Sequence, residues 1–299
     1  MRIHFNPKYS LIKQFLSELL ALRYRKIRII RFEGGIGAQI LACLEYFHFN
    51  AIDENRTFAD TLYFHKGSLQ NWDHKVSRWP WSMQRYGMEI DNFLKFDAPI
   101  EVTRLLSARR NSSWIKKIGW QNLAAQFREK FPIQEDKVNQ YASKLGLDLN
   151  TDFAAVHIRR GDYIQVASLL LDEKEQVSLL KQIESYLPKT LLVISDSPVS
   201  DDSRVIFNSA FKGEVHFLDD SSIDAGILHD LLRMASVLVT SNSTFSFSAG
   251  ILSVRNGLVF GPMAFTQDED ALSPDSMFRV AGRFFLHSPI AASRQINKI

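Results

Sequence analysis

The sequence predicts an α/β protein whose parallel sheets are covered by helices on both faces. Three observations predict it. Short apolar strands alternate with helix-spaced segments through the second half. The first apolar strand runs into a glycine turn and then a helical pattern, which is the local signature of a strand–turn–helix unit. The length of 299 residues suits two domains at roughly 150 residues each.

Taken in order, Leu11 to Leu22 is amphipathic and leads into the basic run Arg23, Arg25, Lys26 and Arg28. Ile27 to Phe32 reads as a strand that ends in Glu33-Gly34-Gly35-Ile36-Gly37, and Ile36, Ile40, Leu44 and Phe47 then recur at near-helical spacing. Residues 50–130 give no clear period. They hold all five tryptophans (Trp72, Trp79, Trp81, Trp114 and Trp120) with Lys75, Arg78, Arg85, Arg109, Arg110, Lys116 and Lys117 between them. Two readings stand: large core anchors with snorkelling cations, or an aromatic face for an acceptor or a membrane surface.

The second half is clearer. Phe153–Ile158, Leu191–Ile194, Val215–Leu218, Val237–Thr240 and Gly257–Phe260 read as strands, and Glu173–Leu187, Ala225–Ala235 and Thr244–Val254 as helices. The turn-like Gly146-Leu147-Asp148-Leu149-Asn150 places a boundary there, dividing the chain into 1–148 and 149–299.

Composition excludes several classes. The chain has 36 Lys plus Arg against 33 Asp plus Glu, a net charge of +3, which argues against a general nucleic-acid binder. The single Cys43 excludes an internal disulfide and a thiolate zinc site, reads as a small buried hydrophobe, and fits a reducing, cytoplasmic setting. No signal peptide or membrane anchor is expected. Leu11–Leu22 is too short and polar to span a bilayer, and the uncharged stretch Met234–Val254 is too rich in Ser, Thr and Asn.

Ligands of open parallel sheets bind outside the carboxyl ends of the strands. Four predicted strand ends carry polar residues. In His157-Ile158-Arg159-Arg160-Gly161-Asp162-Tyr163, adjacent guanidinium groups match phosphate oxygens in a bidentate way, or else bridge to carboxylates. In Ser241-Asn242-Ser243-Thr244-Phe245-Ser246, a helix N-terminus offers N–H groups and a positive dipole end for a phosphate, and an ordinary N-cap is compatible with that. Gly34-Gly35-Ile36-Gly37 matches a dinucleotide fingerprint only in part, since Ile40 stands at the third glycine position. Ser195-Asp196 and Asp219-Asp220 offer carboxylates to a ribose or a guanine edge, or serve turns and caps. Asp268-Glu269-Asp270 reads as solvated, so no metal site is expected.

These motifs resemble a known family. His157 to Tyr163 looks like the His-x-Arg-Arg-x-Asp signature of GDP-fucose-dependent α-1,2- and α-1,6-type fucosyltransferases. Gly34-Gly35-Ile36-Gly37-Ala38-Gln39 is similar to the Gly-Gly-Leu-Gly-Asn-Gln opening of the α-1,2-fucosyltransferases, glycosyltransferase family 11. Asp230-Leu231-Leu232-Arg233-Met234 with Ser241 to Ser246 resembles that family's third block. The chain departs from it at Ala38, where Asn is usual, and at Phe247, where Trp is common.

The resemblance implies a GT-B-like fold of two Rossmann-type domains with parallel sheets facing a central cleft. It implies an inverting, metal-independent transfer of L-fucose from GDP-β-L-fucose to a glycan hydroxyl, α-1,2 to galactose. GDP-fucose is then the donor, and an oligosaccharide or glycolipid the acceptor. Arg159 and Arg160 would neutralise the diphosphate. Asn242, Ser243, Thr244, Phe245 and Ser246 would line the nucleotide pocket, with Asp196 nearby and Gly34, Gly35, Gly37 and Gln39 approaching from the first domain. Asp162 is the first choice of general base and His157 the second. The basic N-terminal region suggests peripheral contact with the inner face of a bacterial membrane. Other readings stay open: a different GDP-sugar or fucosyl linkage, a nicotinamide oxidoreductase using Gly35-Ile36-Gly37 with Asp53 or Glu54, or a non-catalytic glycan binder.

Overall fold

The computed structural model describes residues 27–64, 79–95, 119–161, 171–255, 257–262, 278–281 and 284–286. The amphipathic stretch Leu11–Leu22, Trp72, Trp114, Asp162 and Asp268–Asp270 lie outside these residues. The chain divides into two compact units, Met1–Ser112 and Ser113–Ile299.

In the first unit, strands β1 (Arg28–Arg31) and β2 (Thr57–Asp60) pair in parallel, with Arg28 opposite Thr57 and Arg31 opposite Asp60. Helix α1 (Ile36–Ile52) makes the crossover between them. Its apolar residues bury Ile40, Leu44 and Phe49, the first two with no exposure, and an aromatic cluster of Phe32, Tyr46, Trp81 and Phe93 closes the core. Cys43 is fully buried, as a small hydrophobe.

The second unit holds a seven-stranded sheet in the order β5-β4-β3-β6-β7-β9-β8. The strands are β3 (Ala154–Ile158), β4 (Thr190–Ser195), β5 (Glu214–Leu218), β6 (Val237–Val239), β7 (Leu258–Pro262), β8 (Phe278–Ala281) and β9 (Phe284–Leu286). The first five are parallel, and β9 and β8 add an antiparallel edge. The α/β class with parallel sheets is therefore the observed one.

Helices α2 (Trp120–Phe127) and α3 (Glu135–Lys144) precede the sheet. They are followed by α4 (Glu173–Gln182), α5 (Asp201–Ala210), α6 (Ala225–Met234) and α7 (Thr244–Ile251). Asp172, Ser200, Asp224 and Ser243 cap the last four by accepting a first-turn N–H, which fixes where each helix begins.

Strand parity sorts the core into two layers. Ala154, Val156 and Ile158 pack with Val177 and Leu180 of α4 and Phe207 of α5. Phe153 and Ala155 pack on the opposite face with Val138 and Ala142 of α3, Leu228, Leu231 and Leu232 of α6, and Ala249 of α7. Each fully buried Leu or Phe contributes about 1.5–3 kcal/mol of transfer free energy. No helix among the described residues is long and apolar enough to cross a membrane.

Candidate functional site

The sheet order makes the position of the site legible. The chain runs β3, β4, β5 toward one edge, then returns across β3 to lay down β6 and β7 on its other side. The order reverses between β3 and β6, and a crevice outside the carboxyl ends opens at such a switch point. The end of β3 is His157-Ile158-Arg159, the end of β6 is Thr240-Ser241-Asn242, and β4 on the other flank of β3 ends at Ser195-Asp196.

His157 lies on the same face of β3 as Ala155, toward α6 and α7. Its Nδ1 is 2.7 Å from Ser241 Oγ, its ring packs on Phe245 at 5.2 Å, and its carbonyl accepts a hydrogen bond from Gln176 Nε2 at 3.0 Å. Burial, and secondly the Arg159 charge, push its pKa down to about 3, so the imidazole is neutral.

Parity then separates the two arginines. Arg159 Nη1 pairs with Asp196 Oδ2 at 2.6 Å, and its side chain is 14% exposed. Arg160 turns to the α4–α5 face. There its guanidinium binds Glu173, and its Nη2 donates to Ser203 Oγ at 3.1 Å. The two guanidinium groups are thus held by different partners, Arg159 by Asp196 and Arg160 by Glu173 and Ser203, as adjacent residues leaving a strand point to opposite faces. Arg160 still contributes its backbone N–H to Asp196 Oδ1, at 2.9 Å. Asp196 thus ties the ends of β3 and β4 together. A Cβ on Gly161 would overlap Asp196 Oδ2, which is why a glycine stands there.

The loop after β6 is internally fastened. Ser241 N donates to Ser246 Oγ at 3.1 Å, Ser246 Oγ donates to Ser243 O at 3.4 Å, and Ser243 Oγ caps α7 by accepting from Phe245 N at 3.3 Å. Asn242, Ser243 and Ser246 are buried, while Thr244 and Phe245 are half-buried at the start of α7. The positive end of the α7 dipole therefore lies at the switch point beside the Arg159 strand end.

The block Asp230…Arg233 has a different job. Both residues are buried on α6, and Arg233 Nη1 pairs with Asp230 Oδ1 at 3.1 Å. Arg233 also donates to the Phe131 and Leu252 carbonyls, and Asp230 Oδ2 accepts from Gln134 N. The pair is a brace among α6, the end of α7 and the segment before α3.

In the first unit, Gly34 adopts φ +74° and opens α1. Gln39 has no exposure; its Nε2 donates to the Gly34 and Pro80 carbonyls, and its Oε1 accepts from Ser82 N. Its carboxamide is thus committed to tying the glycine turn to residues 80–82. Gly37 is buried inside α1. A Cβ built on Gly35 would lie 3.4–3.6 Å from three atoms of the Trp79 ring, so the absence of a side chain lets that ring lie on the turn. Asp162 lies outside the described residues.

Sequence reasoning missed Ser241 as the partner of His157, and Glu173, Ser203 and Gln176 as the groups that fix this strand end. The capping position of Asp172 just before Glu173 was the available signal. Among the described residues no group of three or more His, Cys, Asp or Glu is placed to hold a metal ion.

No family model matches the chain. No curated protein matches it either. Solved structures do show similarity. The NodZ α-1,6-fucosyltransferase soaked with GDP-fucose superimposes with a TM-score of 0.45 at 11% identity, over 88% of this chain and 99% of that one. POFUT1 in complex with GDP-fucose gives 0.38 at 14% identity, over 78% and 95%. POFUT1 in complex with GDP gives 0.32 at 16% identity over 55% of this chain, which spans about half (52%) of that chain's length.

Proposed function

We propose that the protein is a GDP-fucose-dependent glycosyltransferase, moving L-fucose to a glycan hydroxyl with inversion and without a metal. The observation that carries the reading is the convergence, at the β3–β6 switch point, of the buffered cation Arg159 and the N-terminus of α7. The motif resemblance names the donor.

Departure of GDP places charge on the β-phosphate. A guanidinium held in place by Asp196 and a fixed helix dipole stabilise that charge without reorganising, which is often the largest catalytic contribution. Arg159 is the proposed phosphate ligand, with Asn242, Ser243, Thr244 and Phe245 around it. Arg160 and Ser246 hold the framework.

His157 is better read as a positioning residue than as the base. A neutral imidazole with a pKa near 3 accepts a proton poorly at pH 7. Asp162 remains the proposed base. An oligosaccharide or glycolipid ending in β-galactose is the proposed acceptor, joined through an α-1,2 linkage.

A donor panel tests the reading. GDP-fucose with a β-galactoside in EDTA should give transfer or donor hydrolysis, whereas GDP-mannose, UDP-galactose and NADH should give none. Turnover of another nucleotide sugar alone, or NADH binding in place of GDP-fucose, would redirect it.

A further inference from the structure

The carboxyl edge of the β1–β2 pair carries a second group of residues that the donor chemistry does not use. Trp79 lies face-on against Gly35, yet 42% of it is exposed. It is held there because its chain neighbours are anchored. Pro80 and Ser82 are bonded to the Gln39 carboxamide, and Trp81 sits in the aromatic core with its Nε1 donating to the Met88 carbonyl at 2.8 Å. The position of the ring is therefore set before any ligand arrives.

On the same turn, Glu33 ends the β1 segment and pairs with Arg31 at 2.9 Å, with 41% of its side chain exposed. Tyr63, half-buried, brings its phenol to the Gly34 backbone and into the field of Glu33. Burial first and that carboxylate second raise its pKa, so the hydroxyl keeps its proton and can both donate and accept.

We propose that this edge is a carbohydrate subsite for a terminal hexopyranose of a glycan, with Trp79 as the stacking surface and Glu33 and Tyr63 as partners for its hydroxyls. A pyranose has an apolar C–H face that covers an indole and a rim of hydroxyls that each donate and accept. A carboxylate accepts from two such hydroxyls, and a phenol matches either role. A nucleotide also stacks on indole, and displacement of the sugar by GDP tells the two ligands apart. The assignment deepens the proposed function by giving its acceptor a place, and it rests on that reading only for the word acceptor.

Saturation-transfer NMR on the full chain, with methyl β-galactopyranoside and methyl β-glucopyranoside as probes, tests it. Expected are signals strongest on the C–H face of at least one glycoside. They should fall at least fivefold in Trp79→Ala and about threefold in Glu33→Gln, and be partly kept in Trp79→Phe. The Trp79→Phe and Glu33→Gln variants preserve the packing and the exposed carboxylate's shape, so they report even where Trp79→Ala does not fold. No signal with the unaltered chain, equal signals in the variants, or competitive displacement of the glycoside by GDP would overturn the subsite. GDP binding by calorimetry reads the donor assignment separately. Glycoside binding without GDP binding would remove the fucosyl reading and leave the subsite standing.

Discussion

Arg159 Nη1 lies 2.6 Å from Asp196 Oδ2, and the other oxygen of the same carboxylate accepts the backbone N–H of Arg160. One side chain thus fixes both the direction of a cation and the end of the strand that carries it. Asp196→Asn keeps the shape and removes the charge. A charge-assisted hydrogen bond contributes about 1.5–3 kcal/mol, so turnover should fall on the order of 10- to 100-fold while the thermal midpoint moves by a few degrees. Steady-state kinetics beside a melting curve checks this, and a collapse of folding with no specific kinetic effect would contradict it.

Gly161→Ala should act through the same carboxylate. The added Cβ overlaps Asp196 Oδ2 and must push it off Arg159. Overpacking of this kind costs about 1–3 kcal/mol. The expected signature is a larger loss in kcat/KM than in stability, read by kinetics and urea denaturation together.

His157 gives a pH dependence. Its folded pKa is depressed to about 3, so between that value and the ordinary 6.5 the unfolded chain binds a proton that the folded one refuses. Its contribution is therefore fully present above pH 6.5 and is lost as pH falls through the window from 6.5 to 3. Between pH 7 and pH 5 this amounts to about 2 kcal/mol. His157→Asn should lose less stability than the unaltered chain over that interval in paired urea titrations, and parallel losses would contradict the burial argument.

Asp230 and Arg233 should behave as a buried ion pair. Removing one partner leaves a charge in the core and costs about 3–5 kcal/mol. Arg233→Met or Asp230→Leu alone should lower the melting temperature sharply, and the double replacement should recover part of the loss. Additive losses in the double variant would show that the two do not act together.

Much of this was legible in the sequence. The apolar runs Phe153–Val156 and Leu191–Ile194 announce strands buried on both faces, and the polar residues after them mark the candidate strand ends. Helix α3 was not, because only Val138 and Ala142 of its ten residues are buried, too few to mark an apolar stripe. Strand β2 was missed because four residues, Thr57–Asp60, give too short a run to show a period. The three described tryptophans differ in their surroundings. Trp81 and Trp120 meet neighbouring rings, Phe32 and Phe247 among them, while Trp79 lies exposed on a glycine turn. That distinction depends on contacts some 40 residues apart in the chain, such as the Gln39–Pro80 bond, which no local pattern encodes. The split of Arg159 from Arg160 was open to strand parity, since the strand to Ile158 was readable in the sequence, but Glu173 and Ser203, the groups that hold Arg160, were not.

The central claim is that Arg159, and not its neighbour, holds the diphosphate. Calorimetric titration of GDP-fucose into the unaltered chain, Arg159→Ala and Arg160→Ala tests it most directly. The account predicts saturable binding by the unaltered chain, weakened about 10- to 100-fold in Arg159→Ala from the lost charge-assisted contacts, and changed less than threefold in Arg160→Ala. Absence of GDP-fucose binding, or equal affinity in Arg159→Ala, would contradict it.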